Sequence, residues 1–251
     1  MKVLVVGDVC IDIHVYGECK NLCPDAPVPV FVPIKQKENK GMAGNVYENL
    51  LSFGISADLE CNSDLITKTR YVEEKRNHMF LRIDSGEEKI KRIDNLSSEK
   101  LKEYDAVVVS DYNKGFLLKE DVRFICDNHS LVFLDTKKMI GDFCRNSTFI
   151  KINAEEYKKS FEEYENTSKS WAHEKMIVTL GQKGCRYKNH LYEVERVSIK
   201  DTSGAGDTFM ASFVYKYLKD KDIDSALNFA NECATIVVQK KGVNVVKKVE
   251  R

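Results

Sequence analysis

Four short apolar runs, 106–109, 131–134, 148–152 and 176–180, are separated by intervening stretches, of which 119–127 and 154–164 read as helices. A tight turn can join antiparallel strands, but a strand–helix–strand order makes neighbouring strands run the same way, with the helix as crossover. The pattern predicts an α/β fold with an open, mostly parallel sheet. Runs 2–6 and 57–60 add strands to it, and further helices are expected at 44–53, 206–219 and 222–240.

Two regions break the alternation. Residues 9–33 and 71–83 are β-rich and bordered by proline or charge, with strands expected at 29–33, 71–75 and 79–83. They read as a small second sheet beside the main one, a lid. A length of 251 residues suits a single domain, 1–251, with such an appendage. The 39 basic and 39 acidic side chains balance and form no long basic stretch, which argues against nucleic acid as partner. No run approaches the roughly 18 apolar residues of a membrane span. The apolar stretch 3–6 is stopped by Gly7-Asp8, so it reads as a strand rather than a signal peptide. The eight cysteines are scattered, several in apolar runs, and fit reduced thiols in a cytoplasmic protein. Cys19 and Cys23, with His14 nearby, lack the second ligand pair of a zinc site.

Open parallel sheets bind ligands beyond the carboxyl ends of their strands. The segment Asp201-Thr202-Ser203-Gly204-Ala205-Gly206-Asp207 lies between a strand-like run, 193–199, and a helix whose buried face is marked by Phe209, Met210, Phe213, Val214, Tyr217 and Leu218. Two glycines let the backbone turn so that successive N–H groups face one concavity at the helix start, a nest for anions. Asp207 is the odd member. A carboxylate beside a phosphate is repulsive unless it takes a proton from the attacking group, which makes it a candidate general base. The same segment also fits an ordinary junction with an acidic first turn.

Asn153-Ala154-Glu155-Glu156 opens the helix after run 148–152 and has the form of a capping box. The same Asn and Glu share one face of the first turn and can hold water around a Mg²⁺ on nucleotide phosphates; the two roles are compatible. Asp12 follows the first strand and is either a turn aspartate or a grip for neighbouring sugar hydroxyls. In Gly41-Met42-Ala43-Gly44-Asn45, small residues let a sugar approach the backbone while Asn45 offers donor and acceptor; the segment is equally a flexible helix entrance.

In this order the pieces resemble the PfkB or ribokinase family of small-molecule kinases, over nearly the whole chain. Gly7-Asp8-Val9, the segment Cys23-Pro24-Asp25-Ala26-Pro27-Val28-Pro29-Val30, the segment Val109-Ser110-Asp111-Tyr112-Asn113-Lys114-Gly115 and Phe229-Ala230-Asn231 are similar to the heptose-7-phosphate kinase modules within it. The resemblance implies a ribokinase-like fold with helices on both sheet faces and an ATP- and Mg²⁺-dependent sugar kinase. Asp207 would deprotonate the C1 hydroxyl of the acceptor, and the N–H groups of Ser203, Gly204, Ala205 and Gly206 would hold the transferring phosphoryl group. Asn153 and Glu156 would position Mg²⁺ through water. Thr179, Gly181, Gly184 and Asn231 would border the nucleotide, while Asp12, Gly41 and Asn45 would hold sugar hydroxyls. Arg82, Lys114 and Lys137 are the cations expected at the 7-phosphate, with Asp111 also on the substrate side. A homodimer through the lid is the implied assembly. Kinases of fructose or hexose type, or an inactive sugar- or nucleotide-binding protein, are the alternative readings.

Three departures stand out. Gly41-Met42 replaces the family's glycine pair, so a thioether is expected to reshape the sugar pocket. Between the strand at 57–60 and Lys68 there is no room for the usual strand–helix–strand crossover. Asp135-Thr136-Lys137 stands where the look-alikes have Asp-Pro-Lys. No His-x-Gly-His signature of a nucleotidyltransferase half is present, so the expectation is kinase activity alone.

Overall fold

The computed structural model describes residues 1–161 and 170–246. Six strands, β1 (Lys2–Gly7), β4 (Ser56–Cys61), β7 (Ala106–Asp111), β8 (Val132–Thr136), β9 (Phe149–Asn153) and β10 (Met176–Thr179), pair in parallel. The hairpin β11 (Cys185–Tyr187) and β12 (His190–Tyr192) adds an antiparallel edge, giving the order β12-β11-β10-β9-β8-β7-β1-β4. Helices α1 (Ala43–Ser52), α6 (Ala205–Asp220) and α7 (Ile223–Val238) cover one face. On the other lie α2 (Ser98–Lys102), α3 (Lys119–Asn128), α4 (Ala154–Phe161) and α5 (Ser170–His173). Strand β1 shows why the centre of this sheet lacks polar alternation. Val3 and Val5 enter the α1/α6/α7 core and Leu4 and Val6 the opposite one, all buried, as a sheet covered on both faces requires.

A second sheet, β3 (Pro29–Met42), β2 (Val9–Leu22), β5 (Thr67–Glu73) and β6 (Met79–Ser85), in the order β3-β2-β5-β6, is the expected lid. Its strands reach further than the sequence pattern indicated: β3 runs on through Met42 and β5 begins at Thr67. Their charged stretches are stabilised by cross-strand pairing rather than by apolar alternation. The chain passes from β4 at Cys61 straight to β5 at Thr67, with no helix between, leaving β4 as the edge of the main sheet. Among the described residues no helix is long and apolar enough to cross a membrane.

Two local expectations differ. The run 193–199 is irregular and pairs with no strand, while the sheet edge is made by β11 and β12 before it. These two strands have three residues each, too short to leave a period. Helix α4 starts at Ala154 as expected; residues 162–164 lie outside the described residues.

Helix α6 is fixed by an aromatic cluster. Phe213 packs edge-on against Phe133 of β8 and Phe149 of β9, with ring centroids 5.7 and 5.1 Å apart. Phe213→Ala is expected to destabilise the protein by about 3–5 kcal/mol, the usual cost of truncating a buried phenyl ring, measured as a lowered urea midpoint at unchanged m-value.

Candidate active site

The turn before α6 owes its shape to Gly204 and Asp201. Gly204 has φ 76°, and a Cβ there would lie 2.5 Å from Asn45 Nδ2, so both conformation and space demand glycine. Asp201 accepts from the Ser203 N–H at 2.9 Å and the Gly242 N–H at 3.0 Å, joining the turn to the loop after α7. The Ala205 N–H donates to Thr202 O at 3.2 Å. Of the four N–H groups expected in the nest, those of Ser203 and Ala205 are thus engaged within the turn. Among the described residues no acceptor meets those of Gly204 and Gly206. A Cβ on Gly206 would sit 2.9 Å from Lys151 Nζ, so glycine leaves the ammonium open beside the helix start. Lys151, buried on β9, is held by Asp135 Oδ2 on β8 at 2.6 Å.

Asp207 is 3% exposed. The Tyr112 hydroxyl donates to Oδ1 at 2.6 Å and Asn45 Nδ2 to Oδ2 at 3.1 Å. Asn49 Nδ2 donates to Asn45 Oδ1 at 3.0 Å, which fixes which way the Asn45 amide points. Burial pushes the Asp207 carboxyl up to about 6, against the opposing pull of Tyr112, Lys151 and Asn45. At neutral pH it is ionised, with a proton affinity suited to a base. Burial and the neighbouring carboxylate hold the Tyr112 phenol well above its ordinary value, so it stays a donor.

Thr179, Gly181, Gly184 and Asn231 line one cavity of about 370 Å³, within the size range of small-ligand sites. It reaches Ala205 and Gly206 at the start of α6 and is walled by the irregular run from Val194 to Ile199. Gly184 has φ 85°, and a Cβ there would meet Tyr192 O at 2.0 Å. Asn231 Nδ2 donates to the same carbonyl at 2.9 Å.

Asn153 and Glu156 form the capping box. Glu156 N–H donates to Asn153 Oδ1 and Asn153 N–H to Glu156 Oε2, both at 2.8 Å. Glu156 Oε1 also accepts from Lys137 Nζ at 2.5 Å. Among the described residues no cluster of three or more His, Cys, Asp or Glu could hold a metal. The oxygens present, those of Glu156 and the buried Asp135 Oδ1, which accepts no hydrogen bond and lies 3.9 Å from Lys137 Nζ, fit an ion that keeps most of its ligands as water and phosphate, as Mg²⁺ does.

On the lid side, Asp12 is buried and ion-paired with Arg70. A Cβ on Gly41 would meet Asp12 Oδ2 at 2.1 Å, so the neighbouring strand must carry glycine there. Met42 takes φ 58° and is buried against Cys10 and Ile66 beneath the lid. Asp111 is enclosed by Lys138 Nζ at 2.7 Å, Thr136 Oγ1 at 2.5 Å and the Asn113 N–H at 2.9 Å. Arg82, Lys114 and Lys137 do not share one set of partners. Arg82 is exposed and pairs with Asp84, Lys114 Nζ meets Glu87 at 2.5 Å, and Lys137 lies beside Glu156 and over the Tyr112 ring. Sequence reasoning missed Tyr112, Lys151, Asn49 and Arg70. Only Lys151 carried a signal, a charge inside the apolar strand Phe149-Ile150-Lys151-Ile152.

A two-faced α/β sheet, a lid beside it and a cavity ending at a glycine-rich helix start make up the ribokinase-like arrangement expected from the sequence. The sequence pattern of the pfkB family carbohydrate kinases matches residues 54–248, and the chain belongs to that family of ATP-dependent sugar kinases. Among curated relatives, the "Bifunctional protein HldE" of a Nitratiruptor species is 32% identical over 289 residues, covering 96% of this chain and 62% of that protein. The protein of the same name from Helicobacter pylori is 29% identical, covering 96% and 63%. The chain thus spans less than two thirds of these relatives, and an aligned span longer than its 251 residues means that they carry segments it lacks. Of solved structures, ribokinase from Thermotoga maritima superposes with TM-score 0.72 at 19% identity, covering 96% of this chain and 94% of that one. Phosphofructokinase-2 from Escherichia coli gives 0.71 at 12% identity, covering 97% and 94%. Both carry the fold.

Because the folded protein raises the Asp207 carboxyl to about 6, the native state binds its proton more tightly than the unfolded chain does. Keeping Asp207 ionised therefore costs stability above that pH, and the cost vanishes below the unfolded value of about 3.9. Asp207→Asn is expected to gain about 1–3 kcal/mol at pH 8 and nothing at pH 4. Denaturant titrations at the two pH values check this; an equal effect at both would remove the buried ionised carboxylate from the account.

Proposed function

We propose that this chain transfers the γ-phosphoryl group of ATP to the C1 hydroxyl of D-glycero-D-manno-heptose 7-phosphate, giving the 1,7-bisphosphate. The carrying observation is Asp207, a buried carboxylate held by Tyr112 and Asn45 at the start of α6. In this reading ATP lies in the cavity of Thr179, Gly181, Gly184 and Asn231 with its phosphates toward Gly206. The acceptor lies under the lid against Asp12, Gly41 and Asn45. Asp207 removes the hydroxyl proton as the oxygen attacks in line. The N–H groups of Gly204 and Gly206 and the Lys151 ammonium face the charge that develops on the phosphoryl oxygens. Mg²⁺, held through water by Asn153 and Glu156, supplies neutralisation of the phosphates when bound. Support for the acceptor comes from the segments 23–30 and 109–115 and from the relatives named HldE. Met42 is buried with Cys10 and Ile66, and Tyr112 packs against them, so the thioether shapes the wall of the acceptor site beside Tyr112.

The reading includes a homodimer through the lid, whose exposed Val30, Val32, Ile34, Leu81 and Ile83 a second copy would cover. It also includes a cytoplasmic setting, in keeping with eight free cysteines.

ADP release from Mg²⁺-ATP, measured against heptose 7-phosphate, fructose phosphates and free hexoses, is expected only with the heptose. Turnover on another sugar would reassign the pocket. Asp207→Asn is expected to lower turnover by about 10² to 10⁴ with ATP affinity held, while kcat/KM of the native enzyme falls as pH drops through about 6. For Glu156→Gln the expected change is a higher Mg²⁺ requirement with little loss of fold. A purely capping role would instead lower stability at constant Mg²⁺ dependence.

A further inference from the structure

Strand β2 carries Asp12, His14 and Tyr16 on one face, all buried. Asp12 belongs to the acceptor side; the other two have no role in the site described so far. His14 is 1% exposed, and among the described residues neither of its ring nitrogens has a hydrogen-bond partner, nor has the Tyr16 hydroxyl. Buried polar atoms are normally satisfied, so an unmet imidazole here points to a contact that the present lid position leaves just open. His14 Nε2 faces Asp201 Oδ2 at 3.9 Å, about 1 Å beyond a hydrogen bond.

Asp201 is the residue that shapes the glycine turn. Its Oδ1 takes the Ser203 N–H and its Oδ2 the Gly242 N–H, which leaves Oδ2 a second lone pair. Gly242, at φ 74°, passes close to both lid rings: a Cβ there would lie 3.3 Å from the Tyr16 hydroxyl and 3.8 Å from His14 Nδ1. The lid already touches the chain neighbours of Asp201 and Gly242. Asn77 Nδ2, between β5 and β6, donates to Lys200 O, and Lys241 Nζ donates to Glu74 O, both at 2.6 Å. His14 is therefore the buried member of a seam between the lid and the two loops that frame the turn. Across the strands it faces Lys37 on β3 and Arg70 on β5; Asp12 lies two residues before it and Asp201 opposite. Burial, and after it Arg70, holds the imidazole below its ordinary value, so at neutral pH the ring is uncharged, with one N–H to give.

We propose that His14 is a positioning residue for phosphoryl transfer: its Nε2–H donates to Asp201 Oδ2 and fixes the lid, with Asp12 on the same strand, against the turn that presents Gly204 and Gly206. This rests on the kinase reading above. In that reading the lid holds the acceptor and the turn holds the phosphoryl group, so the distance between attacking oxygen and phosphorus depends on how the lid sits on the turn. A misplacement of about 1 Å is enough to slow such a transfer strongly. His14 touches neither ligand and acts through Asp201 alone.

The test uses the full chain saturated with a non-hydrolysable ATP analogue, so that the glycine turn is filled. Nitrogen-15 NMR at neutral pH reads the His14 ring, whose signals are assigned by their loss in His14→Gln. The expected pattern is a proton on Nε2 and none on Nδ1; any other pattern overturns the contact. His14→Phe keeps the volume and removes the donor, while His14→Gln places an amide N–H near the position of Nε2. Amide shifts of residues 201–206 and 242 are expected to move in His14→Phe and to stay near native in His14→Gln. In ADP release, His14→Phe is expected to lower kcat about ten- to fifty-fold with KM for ATP within about two-fold, and His14→Gln to recover most of the rate. A native kcat in His14→Phe, or an equal loss in both variants, overturns the positioning role. So does a loss of kcat and ATP affinity together with a lowered urea midpoint, which marks packing alone. If the ring and amide shifts are as described while no acceptor is turned over, the kinase reading fails and the contact stands.

Discussion

Asp207 must be out of water and still ionised, and much of the surrounding structure follows from those two demands. Burial alone would protonate a carboxyl at this depth; two hydrogen bonds and the Lys151 ammonium keep its affinity for a proton near neutrality. Each helper is placed by a different part of the fold: Tyr112 by the loop after β7, Asn45 by α1, Lys151 by β9. Asn49 fixes Asn45 in turn, and Asp8 fixes the backbone of Tyr112. A carboxylate on the first turn of α6 thus ties three elements together through its own need for partners.

The Lys151–Asp135 pair belongs to the same electrostatic group. Buried ion pairs are weak stabilisers, because the loss of hydration offsets most of the attraction. This one leaves Asp135 Oδ1 without a hydrogen bond, an arrangement that a pair selected for stability would avoid. Its position beside Gly206 suits the proposed transfer better: an ammonium beside the helix start, held by one oxygen of Asp135, would be preorganised for phosphate charge before any ligand arrives.

Sequence patterns foretell features whose cause is local. The alternation from 106 to 180 gave the parallel sheet, the β-rich regions gave the lid, and Asn153 with Glu156 gave a capping box, because period, propensity and caps depend on near neighbours. Thr179, Gly181, Gly184 and Asn231 were grouped by resemblance, and the fold brings them to one cavity. Other expectations reached further than local signals extend. The run 193–199 has strand-like composition, yet it crosses the cavity mouth while the short β11–β12 hairpin takes the sheet edge. Arg82, Lys114 and Lys137 were grouped as one set of cations, but strand register and loop path send them to separate carboxylates.

By itself the sequence determined the α/β class, the lid, the glycine turn and the carboxylate that follows it, since glycine at φ 76° and an acidic first turn are properties of a few adjacent residues. Only the tertiary structure decided what surrounds that carboxylate. Tyr112 and Asn45 lie 95 and 162 positions from Asp207 along the chain, and no local preference encodes a meeting over such separations. The same holds for Glu87 between Lys68 and Lys114, and for Met42 packing with Cys10 and Ile66 against Tyr112. Packing of helices on a sheet and pairing of lid strands set these contacts, because they arise from how whole elements fit together.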